Sequence, residues 1–125
     1  MRDSQMPDGD LLVILRHGPH GSSWLREGLD AALVGAAFGR EVSLLFMGEG
    51  VLALLEGQGP GALGQKGTGP TLEMLEMYDI EALYVEGQVM ERYGLEQQDL
   101  LLATHRLDDA SIAELVERHA LVLTF

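Results

Sequence analysis

Five short apolar runs punctuate this chain, and the stretches between them change period. The runs are DLLVIL (10–15), EVSLLFM (41–47), IEALYVE (80–86), DLLLAT (99–104) and ALVLTF (120–125). Each has strand length, and the first is continuously apolar apart from its leading Asp10, which suits a strand covered on both faces. After the first run, Leu25, Leu29, Ala32, Leu33, Ala36 and Ala37 recur at spacings of three and four, with Arg26, Glu27 and Asp30 on the other side. That period predicts a helix, opened by Ser22 or Ser23 and closed by Gly39. Pro70 and Thr71 open a second helix, GQVMERYG (87–94) makes about two turns ended by Gly94, and Asp108 or Asp109 caps ASIAELVERH. His119 falls late in that last helix, where a cation complements the dipole. Alternating strands and helices joined by short connections predict a mainly parallel sheet with helices on both faces.

The chain has 125 residues, which fits one domain over 1–125. Residues 1–9 are expected to be a flexible N-terminus. Residues 57–69, the glycine-rich GQGPGALGQKGTG, are expected to be a flexible loop. This loop does not match a phosphate-binding loop, because Lys66 is followed by glycine and lies outside a strand–helix turn. With 20 acidic and 8 basic residues, the net charge is −12. That charge opposes contact with a phosphate backbone, so no direct nucleic-acid binding is expected. The polar start carries no leader-like segment, and no run approaches the ~20 apolar residues a membrane helix needs. A cytoplasmic protein without a membrane partner is expected. There is no cysteine, which removes disulfides, thiolate metal ligation and thiol nucleophiles from the chemistry available.

In open α/β sheets, sites lie beyond the carboxyl ends of the strands. The expected ends are Arg16–Ser23, Met47–Gly50, Glu86–Gln88 and Thr104–Arg106. Arg16-His17-Gly18 after a buried strand resembles the opening of the histidine phosphatases. There a histidine takes the phosphoryl group, arginines hold it, and a second histidine with an acid serves the leaving group. On that reading His105 and Arg106, at the end of the fourth strand, face Arg16 and His17. The following PHGSS departs from that family's continuation. His17, His20, His105 and His119 offer no H-E-x-x-H pattern or acid cluster, so no metal site and no cofactor are expected. Met74 and Met77, with Leu72 and Leu75, read as core or partner contacts. Tyr78, Tyr84 and Tyr93 read as half-buried residues at element ends. Trp24 reads as core or interface.

Several segments in order resemble the TusC/DsrF family of sulfur relay proteins. PHGSSWLREGLDAAL (19–33) resembles that family's entry into its first helix, and SLLFMGEGVLALLEGQGP (43–60) its second strand and glycine-bearing turn. MLEMYDIEALYVE (74–86) resembles its Tyr-Asp-Ile-Glu segment and third strand; ERYGLEQQDLLL (91–102) and the terminal ALVLTF also fit. The family-motif or interface positions so marked are Pro19, His20, Gly21, Arg26, Glu27, Gly50, Gln58, Tyr78 and Asp79. The resemblance implies a three-layer α/β/α DsrE/F-like domain with a mostly parallel five-stranded sheet. It also implies assembly with TusB-like and TusD-like paralogues, or their DsrH and DsrE counterparts, as a heterohexamer of two copies each. Such a complex passes persulfide sulfur through a TusE-like carrier toward 2-thiolation of the tRNA wobble uridine, or serves sulfur oxidation. Glu86 stands where the resemblance places the thiol-bearing paralogue's active cysteine. A chain without a thiol cannot carry sulfane sulfur, so a non-catalytic subunit is expected.

Overall fold

The computed structural model describes residues 9–18, 23–55 and 69–125. The expected flexible terminus at 1–9 lies outside them except for Gly9. The loop at 57–69 lies outside them except for Gly69, as do Pro19, His20, Gly21 and Gln58. The described residues form one five-stranded sheet in the order β4-β3-β2-β1-β5. The strands are β1 (Gly9–Leu15), β2 (Val42–Phe46), β3 (Ala82–Glu86), β4 (His105–Leu107) and β5 (His119–Thr124). Every pairing between them is parallel. The helices are α1 (Trp24–Ala37), α2 (Gly69–Met77), α3 (Gly87–Arg92) and α4 (Asp109–Glu117). A 3-10 turn, Gly48–Leu54, takes up the apolar VLALL stretch.

Strand order decides which face each helix covers. From β1 to β4 every step runs the same way across the sheet, so right-handed crossovers put all three connections on one face. There Leu25 and Leu29 of α1, Val51 and Leu54 of the turn, Leu72 and Leu75 of α2, and Met90 of α3 pack on Val13, Leu44, Phe46 and Val85. The step from β4 to β5 reverses direction, so α4 lands on the other face, where Leu115 packs with Leu12, Ile14, Leu45, Tyr84 and Leu107. Alternation along each strand serves both cores, which is why β1 and β2 read as unbroken apolar runs. A fully buried leucine such as Leu29 or Leu45 contributes about 1.5–3 kcal/mol relative to an exposed one.

Three expectations need correction. The run 99–104 is not the fourth strand. Glu96 and Asp99 form a reciprocal capping box that winds Gln97–Asp99 into a 3-10 turn. Leu100 then makes an isolated antiparallel bridge to Leu55 and buries its side chain in the first core. The strand that joins the sheet is the short His105–Leu107, so Thr104–Arg106 is not a strand end. An edge strand this short, carrying two polar residues, offers little template for stray pairing.

His119 lies beyond the end of α4 rather than within it, and its ring still caps that helix through the Leu115 carbonyl. It opens β5 and is buried. Its Nδ1 lies 2.8 Å from the Leu115 carbonyl, so that nitrogen donates. Its Nε2 lies 2.8 Å from the Ser43 hydroxyl. The ring fills the space above Gly9, where any Cβ would collide with it. Finally, Tyr84 lies in the middle of β3 and is buried rather than half-buried at an element end. Burial pushes its hydroxyl above the ordinary tyrosine value, and the Arg118 guanidinium pulls part of the way back.

The caps follow the sequence more closely. Asp108 caps α4, its carboxylate accepting the Ser111 N–H at 2.8 Å. Ser23 occupies the N-cap of α1 but makes no side-chain cap bond. At the end of α2, Asp79 N–H donates to Glu76 O and Ile80 N–H to Leu75 O, at 3.0 and 2.9 Å. This is a Schellman closure, and it requires a left-handed residue at Asp79, whose φ is 62°.

Candidate functional site at the carboxyl edge of the sheet

The ends of β5, β1 and β2 are tied together by backbone at one edge, and β3 ends beside β2. Arg16 N–H donates to Phe125 O at 2.8 Å, and Met47 N–H to Leu15 O at 2.9 Å. The chain then turns sharply, with Gly48 at φ 51° and Gly50 N–H donating to Met47 O at 2.8 Å. Gly50 is buried directly against the Leu15 carbonyl, with no room for a Cβ. The family-motif glycine is therefore a close-approach residue: it lets the 3-10 turn lie across the end of β1. Gly18 sits beside Glu49, so the loop after β1 rests on the same turn.

Glu86 ends β3 at the N-cap position of α3, yet its side chain does not cap that helix. It reaches sideways instead, and Oε1 accepts the Gly48 N–H at 3.0 Å. The bond joins residues 38 apart in sequence and is partly buried. A carboxylate accepting an amide makes the stronger, charge-assisted class of hydrogen bond. On the far side of Glu86, Arg106 Nη2 donates to Gly87 O at 3.4 Å, and Gln88 Nε2 to Asp109 Oδ2 at 3.1 Å. Gly87, Gln88, Glu91, Arg106, Leu107 and Asp108 line an open cavity of about 550 Å³ there. On the near side, the His17 ring stacks on Trp24, with centroids 5.6 Å apart and planes at 22°. Both residues are exposed.

The phosphatase constellation is not assembled. His17 follows β1, whereas His105 opens β4, opposite Tyr84, with ring centroids 5.8 Å apart. Between β1 and β4 lie β2 and β3, so the two strands stand roughly 14 Å apart at the usual strand spacing. One phosphate cannot be held by both pairs across that gap.

The resemblance-marked residues divide between two edges. Gly50 and Glu86 lie at the carboxyl edge. Arg26 and Glu27 lie on the exposed side of α1. Tyr78 and Asp79 lie at the opposite, amino edge. There they line a cavity of about 400 Å³ with Gly9, Arg40, Ser43 and Glu81. Sequence reasoning missed the Gly48 amide as the partner of Glu86, since nothing local announces a contact across 38 residues. It also missed the Ser43–His119 pair, although a serine inside an apolar strand was an available clue. Among the described residues, no group of three or more His, Asp or Glu comes together as metal ligands. No helix among them is long and apolar enough to cross a membrane.

Residues 10–125 match the model of the DsrE/DsrF-like family. A Pseudomonas aeruginosa protein named Protein TusC homolog is 38% identical over 114 residues, which covers 91% of this chain and 96% of that one. The Allochromatium vinosum intracellular sulfur oxidation protein DsrF is 36% identical over 90 residues, covering 72% and 66%. Among solved structures, the ychN protein from E. coli superposes with a TM-score of 0.80 over 93% of this chain and 98% of that one. At 21% identity, that likeness speaks for the fold.

Proposed function

This chain belongs to the DsrE/DsrF-like family, among its TusC and DsrF members, and from that premise we propose that it is a thiol-free subunit of a sulfur relay complex. The observation that carries the reading is chemical: 125 residues include no cysteine, so no atom of this chain can form the sulfur–sulfur bond of a persulfide. At the position that the resemblance matches to the paralogue's active cysteine stands Glu86, its carboxylate already engaged by the Gly48 amide. The chain then contributes by shape and association. Its large exposed apolar side chains, Phe38, Met77, Val34 and Leu121 among them, suit a protein that works inside an assembly.

The proposed partners are TusB-like and TusD-like paralogues in a heterohexamer of two copies each, in the cytoplasm. A TusE-like carrier receives the sulfur for 2-thiolation of the tRNA wobble uridine. The Allochromatium relative, named for intracellular sulfur oxidation, favours a second pathway in which the same kind of subunit serves a DsrEFH-type complex. Co-expression with the two paralogues and native mass spectrometry is expected to give a complex with two copies of this chain. Deletion of its gene is expected to deplete 2-thiouridine in tRNA. Loss of sulfur oxidation with normal 2-thiouridine would move the chain to the second pathway. A lone chain that binds neither paralogue would overturn the relay reading.

A further inference from the structure

We infer that the free edge of β5 is an interaction surface for a second copy of this chain, the two strands pairing antiparallel about a two-fold axis at Val122 to make one continuous sheet. The inference stands apart from the relay reading, because it concerns the chain by itself. β5 ends the sheet, and among the described residues nothing adjoins its outer side. In a parallel ladder, the N–H and C=O of one residue point to the same side and those of the next residue to the other. Phe125 N–H donates to Ile14 O and Phe125 O accepts from Arg16 N–H, both at 2.8 Å, so the backbone of Phe125 faces β1. By alternation the backbone groups of Leu121 and Leu123 also face β1, while those of Ala120, Val122 and Thr124 point outward. The register runs without a bulge from Leu121 to Thr124.

Open edges are usually blunted by short length, a proline, a bulge or a charged side chain. The β4 edge obeys that rule, with 3 residues that include His105 and Arg106. β5 does not: it has 6 residues, and after His119 it carries neither charge nor proline. The surface beside it is apolar as well. Leu121 is 54% exposed, and Val34 and Phe38 of α1 are 55% and 81% exposed. Leu11, Gly35, Phe38 and Leu121 line an open groove of about 700 Å³, and its charged lining residues are Asp10 and Arg40, one of each sign.

Unpaired N–H and C=O groups along an edge select an extended strand, and β5 is complementary to itself. In the register centred on Val122, that residue stands opposite its own copy and Ala120 stands opposite Thr124 of the second copy. All three outward residues then exchange hydrogen bonds, as an isologous contact requires. Leu121 stands opposite Leu123 of the second copy, and no charged side chain opposes another along the two strands. The whole chain carries a net charge of −12, which repels a second copy, and an uncharged edge is where that repulsion is locally least. Salt screens the repulsion, so the pair should tighten as ionic strength rises, whereas a basic partner would be released.

The test joins sedimentation equilibrium of the full chain, in low and high salt, to hydrogen exchange at the Ala120, Val122 and Thr124 amides. A monomer–dimer equilibrium is expected, tighter in high salt, with those amides protected in the dimer. Thr124→Pro removes one outward donor per copy and leaves the β1 side of the strand intact. It is expected to raise the dimer dissociation constant about tenfold to a hundredfold. Leu121→Lys places an edge-blocking charge at an exposed position. It is expected to weaken the dimer about tenfold, even though it lowers the net negative charge. A wild-type monomer whose three amides exchange freely at every concentration would overturn the proposal. Protection of those amides in a monomer would overturn it in favour of residues 1–8 lying on the edge. Protection that arises only when a paralogue is added would overturn it in favour of a strand from that paralogue. A dimer that neither variant weakens has its interface elsewhere, which also defeats the proposal. Where Thr124→Pro does not fold, Leu121→Lys decides.

Discussion

At Gly50 the nearest obstacle to a side chain is backbone, the Leu15 carbonyl carbon and oxygen, and backbone held in a central parallel strand cannot step aside. Gly50→Ala is therefore expected to cost about 3 kcal/mol or more, read by urea unfolding. Gly18→Ala, where an added Cβ would meet only ordinary contacts, should change stability by less than about 0.5 kcal/mol. Asp79 poses the opposite problem: a side chain in a left-handed conformation, φ 62°. Asp79→Gly is expected to be neutral or slightly stabilising, whereas Asp79→Val should cost about 1–2 kcal/mol because β-branching crowds that backbone. Equal destabilisation by both would show that the Asp79 side chain, not its backbone, matters. The motif resemblance marked both Gly50 and Asp79 in the sequence. The physical reason at each is a backbone requirement, which only three-dimensional neighbours reveal.

At the scale of elements, α4 is the helix that covers the second face, with Leu115 its one fully buried side chain. Leu115→Ala is expected to cost about 2–5 kcal/mol, a large share of the few kcal/mol by which a domain is usually stable. The Asp108 cap adds a pH dependence. The Ser111 backbone N–H bonds the charged carboxylate and holds it below the ordinary carboxylate range. The folded value then lies below the unfolded one. Its stabilisation is fully present above the unfolded value and is lost as the pH falls through the folded value, below about pH 4. Asp108→Asn keeps the cap acceptor and should flatten that part of the acid limb, while Asp108→Ala should lower the melting temperature at neutral pH. Thermal scans from pH 2 to 7 check both. An acid limb identical in all three proteins would remove Asp108 from the account. The helices were legible from their period and caps, but the fourth strand was not. DLLLAT looks more like a strand than HRL does, and the capping box of Glu96 and Asp99 takes its first residue for a turn.

For the whole molecule, β1 pairs with β2 on one side and β5 on the other, so the sheet closes only when the last strand returns to the first. Removing residues 119–125 would expose the β1 edge. It would also leave Ser43 without His119 and strip Phe125 from the first core. Such a chain is expected to lose its cooperative thermal transition; a sharp transition near the full-length midpoint would show the four remaining strands to be self-sufficient. Contacts spanning the chain in this way also predict folding in milliseconds to seconds rather than microseconds.

The sequence alone determined the class of fold and the limits of the chemistry. Apolar runs alternating with a helical period leave little but a layered α/β sheet, and a chain without a thiol cannot hold a persulfide whatever its shape. The tertiary structure decided what depends on closeness between distant residues: that His17 and His105 never share a site, that His119 is a buried tie to Ser43, and that Glu86 reaches Gly48. These facts turn on strand order and on which face each crossover covers, and pairings tens of residues apart leave no local period to read.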